Sequence, residues 1–310
     1  MPAHGRPRVG IVKFASCDGC QLTLLDLEDE LLELTRRFDI VEFPEASSLR
    51  SAGPYDVLLV EGAVSTPEQA AEIQELRRQA RLLVTIGACA SYGGIQALRN
   101  WADHDAFRSG VYAHPEYVES LATATPISEH VAVDAELHGC PINAAQLREL
   151  LAALAVGRRP QIRQEAVCLD CKRHGTVCVW VASRIPCLGP VTQAGCGALC
   201  PAYSRGCYGC FGPREQANAA SLSRAFLWSG REKREVGRLF AGFTAYAEPF
   251  RSVVTDLHGT RTAEDQMALT AAIATAAKAG PADAEGAAPA KSRATTRGAK
   301  AKSGGSNGRH

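Results

Sequence analysis

Twelve cysteines in 310 residues constrain this chain more than any other feature, because they fall into three sets of four. The first is scattered: Cys17 and Cys20 as a CxxC pair, then Cys89, then Cys140 followed by Pro141. The other two share one stretch, Cys168, Cys171, Cys178 and Cys187, then Cys196, Cys200, Cys207 and Cys210. Four thiolates are what one iron–sulfur cube requires, and the division leaves none over. Two plainer readings compete. Disulfide frameworks suit small secreted domains, but the segment MPAHGRPRVGIVKFAS before Cys17 has no apolar stretch of signal-peptide length and no cleavage site. Structural zinc also takes four cysteines, and the pairs Cys168/Cys171 and Cys207/Cys210 would suit a ribbon. Against zinc stand the irregular gaps between cysteines and the distant partners of Cys17 and Cys20. Spacing alone leaves it as an alternative.

Composition sets limits. A chain of this length can bury two substantial cores, and its 46% hydrophobic content suits a globular protein. No uninterrupted apolar run approaches the roughly 20 residues that span a bilayer, so no membrane span is expected. Net charge is +1 overall, but residues 281–310 hold six Lys or Arg against Asp283 and Glu285, which makes that tail +4 and the remainder −3. The basic residues of the body are scattered among acids, and no nucleic-acid surface is expected. The tail lacks aromatic and large aliphatic residues and is expected to be disordered.

Between residues 8 and 157 the chain alternates short apolar or β-branched runs with helical patterns. Val9 to Phe14, Ile40 to Phe43, Val57 to Val60, Leu82 to Ile86 and Val131 to Val133 read as strands, most of them too continuous to be half-exposed. Leu24, Leu27, Leu31 and Leu34 recur at helical spacing, Pro67 opens a second helix, and Asn143 to Val156 forms a third. The expectation is an α/β domain, a flavodoxin-like doubly wound parallel sheet. Cys17, Cys89 and Cys140 then follow three strands and meet at the carboxyl edge, where open α/β sheets bind ligands. Gly19, Gly87 and Gly139 beside them let backbone amides approach sulfur. Glu61, at the end of an apolar strand, is costly to bury unless paired; it either makes a polar contact near the first cysteine set or at a subunit interface, or reaches solvent.

CDGC at 17–20, VEGAV at 60–64, GACASYGG at 87–94 and GCP at 139–141 occur in that order ahead of the cysteine-rich stretch. Together they resemble the small, electron-transferring subunit of [NiFe]-hydrogenases, to about residue 250. The resemblance implies that Cys17, Cys20, Cys89 and Cys140 hold the proximal [4Fe-4S] cluster, nearest a nickel–iron centre on a separate large subunit. Residues 160–250 would form a small two-cluster domain with bracing helices. It implies Cys168, Cys171, Cys178 and Cys187 at the distal cluster, and Cys196, Cys200, Cys207 and Cys210 at the medial one.

Three departures from the periplasmic members matter. Cys168 stands where those have a distal histidine, which leaves His174 a spare. Cys200 supplies a medial thiolate where they often have proline, so all three clusters are expected to be [4Fe-4S]. The arginine pairs Arg36/Arg37, Arg77/Arg78 and Arg158/Arg159 are internal and lack the apolar run of a twin-arginine signal, which points to the cytoplasm. Gly19 and Gly94 occupy the positions where some oxygen-tolerant relatives carry two further cysteines. The pattern suggests the NADP-linked bidirectional and sulfhydrogenase delta-subunit group. No GxGxxG follows the first strand, so NAD(P) would bind a separate flavin (diaphorase) subunit, alongside a ferredoxin-like subunit. Residues 166–213 carry little apolar periodicity, and metal is expected to replace a hydrophobic core there. Ala217 to Phe250 reads as helical with Leu222, Phe226, Leu239 and Phe243 for packing; residues 251–280 are expected to extend that helical part. The alternatives are the small subunit of a hydrogen-sensing complex and a zinc-stabilised interaction protein.

Overall fold

The computed structural model describes residues 5–51 and 53–258. Five parallel strands form its sheet in the order β2-β1-β3-β4-β5: β1 (Arg8–Lys13), β2 (Asp39–Glu42), β3 (Tyr55–Glu61), β4 (Ala80–Ile86) and β5 (Ala135–Leu137). Strand periodicity sorts the side chains between two faces. Val9, Ile11, Val57, Leu59, Val84 and Ile86 point to one core; Val12, Phe14, Leu58, Val60 and Leu83 point to the other. The first face is covered by α1 (Gly19–Leu25), α2 (Asp29–Arg37) and α6 (Ala144–Ala155), through Leu24, Leu34, Leu147, Leu150 and Leu151. The second is covered by α3 (Pro67–Gln79) and α4 (Gly87–Tyr92), through Ile73 and Ala90. A further helix, α5 (His104–Val111), lies between α4 and β5 in sequence. This is the flavodoxin-like α/β sheet expected from the alternation.

Local signals set several boundaries. Thr66 and Gln69 form a reciprocal capping box at α3, with Pro67 in the first turn. Asn143 accepts from the amides of Ala145 and Gln146 and caps α6. Two expectations are corrected. The leucine pattern after Cys20 is not one helix, because the chain breaks at Asp26–Glu28, where Glu28 has φ of 48°. The run Val131 to Val133 is not a strand: these valines pack on the second core from a loop, and pairing with β4 begins only at Ala135, opposite Val84.

Beyond α6 the segment carrying eight cysteines has only short helices, α7 (Val167–Arg173), α8 (Val179–Ser183) and α9 (Leu199–Ala202). Its own apolar cluster is small: Val167, Val179, Cys187, Ala198 and Cys207. Three longer helices follow, α10 (Ala219–Trp228), α11 (Lys233–Phe240) and α12 (Phe250–His258), so the helical reading of Ala217 to Phe250 is interrupted around Gly230 and after Phe240. They enclose Leu188, Val191, Phe226, Val236, Phe240, Phe250 and Val253, with Leu222 and Leu239 at the margin. Among the described residues no helix is long and apolar enough to cross a membrane. Apart from residues 251–258 of α12, the expected extension over 251–280 lies outside the described residues, as does the tail 281–310.

Candidate metal centres

All twelve thiols are free. The four cysteines of the first set come from three turns at the carboxyl edge of the sheet: Cys17 and Cys20 after β1, Cys89 in α4 directly after β4, and Cys140 after β5. They share one electrostatic neighbourhood. Burial pushes the Cys89 thiol up to about 11, opposed by Gln96 and reinforced by Cys140 and Cys17. Burial also raises Cys20, reinforced by Glu61, opposed by the Ile142 amide and reinforced again by Cys89 and Cys140. Glycine is required beside two of these thiols. A Cβ on Gly87, at φ +86°, would stand 2.3 Å from Cys20 Sγ, and one on Gly94, at φ +63°, would stand 2.6 Å from Cys89 Sγ.

Glu61 does not reach solvent. It is 2% exposed and accepts hydrogen bonds from the backbone amides of Cys20 and Gln21, each at 3.1 Å. The carboxylate therefore anchors the first turn of the helix that presents Cys20. Burial holds its carboxyl above the usual carboxylate range, and the two amides oppose that rise.

Cys168, Cys171, Cys178 and Cys187 line one partly open, largely apolar cavity of about 170 Å³, with Cys178 exposed at its edge. Burial pushes Cys168 up to about 11, with Cys187, Cys171 and Cys178 adding to the rise. His174 is exposed at the end of α7 and does not line that cavity. Cys196, Cys200 and Cys210 line a second space, together with Cys140 of the first set. Burial pushes Cys210 up to about 12, reinforced by Cys196, Cys140 and Cys200. Cys207 stands between the last two sets: its amide donates to Cys187 Sγ at 3.2 Å, and its own Sγ accepts from the Gly209 amide at 3.5 Å. The Gly189 amide donates to Cys187 Sγ at 3.4 Å.

The twelve thiols thus form a succession, from the sheet edge through Cys196–Cys210 to the 168–187 cavity. The residues fit iron–sulfur clusters on two observations: soft sulfur donors occur in fours, and backbone amides are aimed at Cys187 and Cys207 Sγ, hydrogen bonds of the kind that tune a cluster's potential. Thiols raised this far stay protonated on their own; a coordinated metal removes the proton outright. Among the described residues no three His, Cys, Asp or Glu side chains converge closely enough for a single metal ion.

Residues that motif reading passed over also meet here. Gln96 lies 3.5 Å from Cys89 Sγ while its amide nitrogen donates to the Ala15 carbonyl at 2.6 Å. Tyr92, His138, Gln193 and Phe211 fill the seam between the sheet edge and the cysteine-rich segment. Their only sequence signal is indirect, in the glycines 139, 195 and 212 that border aromatic rings.

Comparison with known proteins decides the family. Residues 17–154 match the family model described as NADH ubiquinone oxidoreductase, 20 Kd subunit. Over 215 residues the chain is 36% identical to the sulfhydrogenase 2 subunit delta of Pyrococcus furiosus, an alignment covering 69% of this chain and 90% of that protein. This chain belongs to the family of [NiFe]-hydrogenase small subunits. Its family members are oxidoreductase subunits acting on hydrogen. With the NAD-reducing hydrogenase HoxS subunit delta of Cupriavidus necator this small subunit shares 26% identity over 170 residues, 50% of this chain and 81% of that one. The solved structure of the actinobacterial-type NiFe-hydrogenase from Ralstonia eutropha H16 is similar in fold alone, with a TM-score of 0.50 at 15% identity over 93% of this chain and 95% of that one.

Proposed function

We propose that this small subunit relays electrons through three [4Fe-4S] clusters, between the nickel–iron site of a large partner subunit and a flavin module that binds NAD(P), reached with a ferredoxin-like subunit. The carrying observation is the unbroken succession of thiols. Cys140 shares a space with Cys196, Cys200 and Cys210, and the Cys207 amide donates a hydrogen bond to Cys187 Sγ, so each set of four abuts the next. In the uptake direction hydrogen yields two protons and two electrons at the partner, and NAD(P)+ takes up both electrons and one proton. Each cluster, when bound, supplies a reversible one-electron step.

This chain's own residues do the positioning. Cys17, Cys20, Cys89 and Cys140 would hold the proximal cluster, Cys196, Cys200, Cys207 and Cys210 the medial one, and Cys168, Cys171, Cys178 and Cys187 the distal one. Amides of Gly189, Cys207 and Gly209 are aimed at sulfur, and Glu61 fixes the turn bearing Cys20. Cys17 is exposed at the sheet edge, and Leu22, two residues after Cys20, and Ile95, six after Cys89, present apolar surface. That edge is the surface offered to the large subunit. A cytoplasmic location goes with this reading.

The nucleotide module is supported by the name of the C. necator relative, whereas the name of the P. furiosus relative specifies no nucleotide. Purification of the native complex, with iron and sulfide analysis and assays of hydrogen-dependent reduction of NAD+, NADP+ and an artificial dye, tests the whole reading. The expected result is about four iron atoms and four sulfides for each four-thiolate set, together with reduction of one nucleotide. Stoichiometric zinc without charge-transfer absorption would overturn the relay. Dye reduction with neither nucleotide reduced would overturn the diaphorase assignment alone.

A further inference from the structure

We propose that Phe211, braced by Tyr92, is a positioning wedge that sets the separation between the first thiol set and the Cys196–Cys210 set, and thereby the rate of electron passage between them. The inference rests on the relay reading above. Phe211 is 3% exposed and borders the same space as Cys140, Cys196, Cys200 and Cys210. Two glycines from different segments border its ring. A Cβ on Gly195 would stand 2.2 Å from Phe211 Cε1; one on Gly139 would meet its own turn at Pro141 O (2.5 Å) and Ile142 Cα (2.9 Å), and Phe211 Cζ at 3.0 Å. Gly139 directly precedes Cys140, and Gly195 directly precedes Cys196, so the ring is gripped by the backbones that present one thiol of each set.

Tyr92 repeats the device one step further on. A Cβ on Gly212, the residue after Phe211, would stand 2.3 Å from Tyr92 Cε2. The Tyr92 hydroxyl lies 3.1 Å from His138 Nε2, and His138 Nδ1 lies 3.0 Å from Gln193 Oε1. This bond path runs from α4, which carries Cys89, through the end of β5 to the cysteine-rich segment. An ordinary core phenylalanine would only fill volume. This one lies between two thiol-bearing backbones, which are otherwise linked by the Gln146 amide nitrogen of α6 donating to the Ala194 carbonyl at 3.4 Å. A phenyl ring is also rigid, with two torsions and no polar atom to leave unsatisfied.

The test uses the complete complex with its large subunit, carrying Phe211→Ala or the milder Phe211→Leu. Four quantities are measured: iron content, hydrogen–deuterium exchange, which reports the partner's metal site without the relay, the magnetic interaction between reduced clusters by EPR, and hydrogen-driven dye reduction. The expected outcome is full iron and unchanged exchange, with an altered magnetic interaction and dye reduction lowered severalfold in Phe211→Ala and less in Phe211→Leu. If Phe211→Ala loses iron, Phe211→Leu decides. A variant with full iron whose magnetic interaction and dye reduction both equal those of the wild type overturns the wedge. A wild-type complex lacking any interaction between clusters overturns the relay reading, and the inference with it.

Discussion

At the residue scale, the first thiol set depends on groups that contribute no sulfur. Gly87 is held at φ +86° with Cys20 Sγ where its Cβ would be, so Gly87→Ala meets both the left-handed backbone penalty, about 1–2 kcal/mol, and a direct clash with a ligand. The expected outcome is selective loss of the iron of the first set, about four atoms, while the other sets stay filled; quantitative EPR checks it. Glu61 gives a graded counterpart. In Glu61→Ala the amides of Cys20 and Gln21 lose their acceptor inside the protein, at about 1–3 kcal/mol for each unsatisfied group. Glu61→Gln keeps one acceptor oxygen, and the carboxyl it replaces is already disfavoured as an anion by burial. Thermal denaturation of the complex should therefore rank wild type above Glu61→Gln and that variant above Glu61→Ala. Equal melting of the two variants would refute the anchoring role.

At the element scale, the helices that follow the cysteines and those that flank the sheet depend on different terms. Phe226 in α10 is fully buried and meets Trp180 of α8 edge-on, with ring centroids 4.9 Å apart. That contact ties the C-terminal helices to the element starting directly after Cys178. Phe226→Ala is expected to cost about 3–5 kcal/mol, as large-to-small core substitutions of aromatic residues do, and to loosen the 168–187 cavity. Thr66→Ala removes only a cap from α3 and should cost about 1 kcal/mol. Hydrogen exchange distinguishes them: α8 and α10–α12 should lose protection in the first variant, and only the start of α3 in the second. The break between α1 and α2 belongs to this scale as well. It redirects the chain between the two helices, so that Leu24 of α1 and Leu34 of α2 both reach the core.

At the scale of the whole molecule, stability is unevenly sourced. The sheet has apolar cores on both faces, whereas the segment with eight cysteines has an apolar cluster of its own of only five residues, two of them cysteines, and helices of four to seven residues. Where so little apolar surface is buried, metal binding free energy becomes folding free energy. Removal of iron with a chelator under reducing conditions should open residues 166–213 while β1, β3 and β4 keep their protection, measured by hydrogen exchange with mass spectrometry. Uniform loss across the chain, or no loss in that segment, would contradict this division of labour.

What the sequence by itself determined follows from signals that act over a few residues. The strand and helix alternation came from side-chain period, the start of α3 from Pro67 and the start of α6 from Asn143, while cysteine spacing suggested three sets of four. Tertiary structure decided whatever depends on a partner distant in the chain. Val131 and Val133 have the composition of a strand, but pairing with β4 begins at Ala135, because register is set by the neighbouring strand and not by local propensity. Glu61 was ambiguous in sequence, since its partners lie 40 and 41 residues away. Phe211 carries no motif at all; its ring is bordered by two glycines before it in the chain. Local periodicity can say which residues are buried, but only the close approach of remote backbones determines which of them lies between two sites.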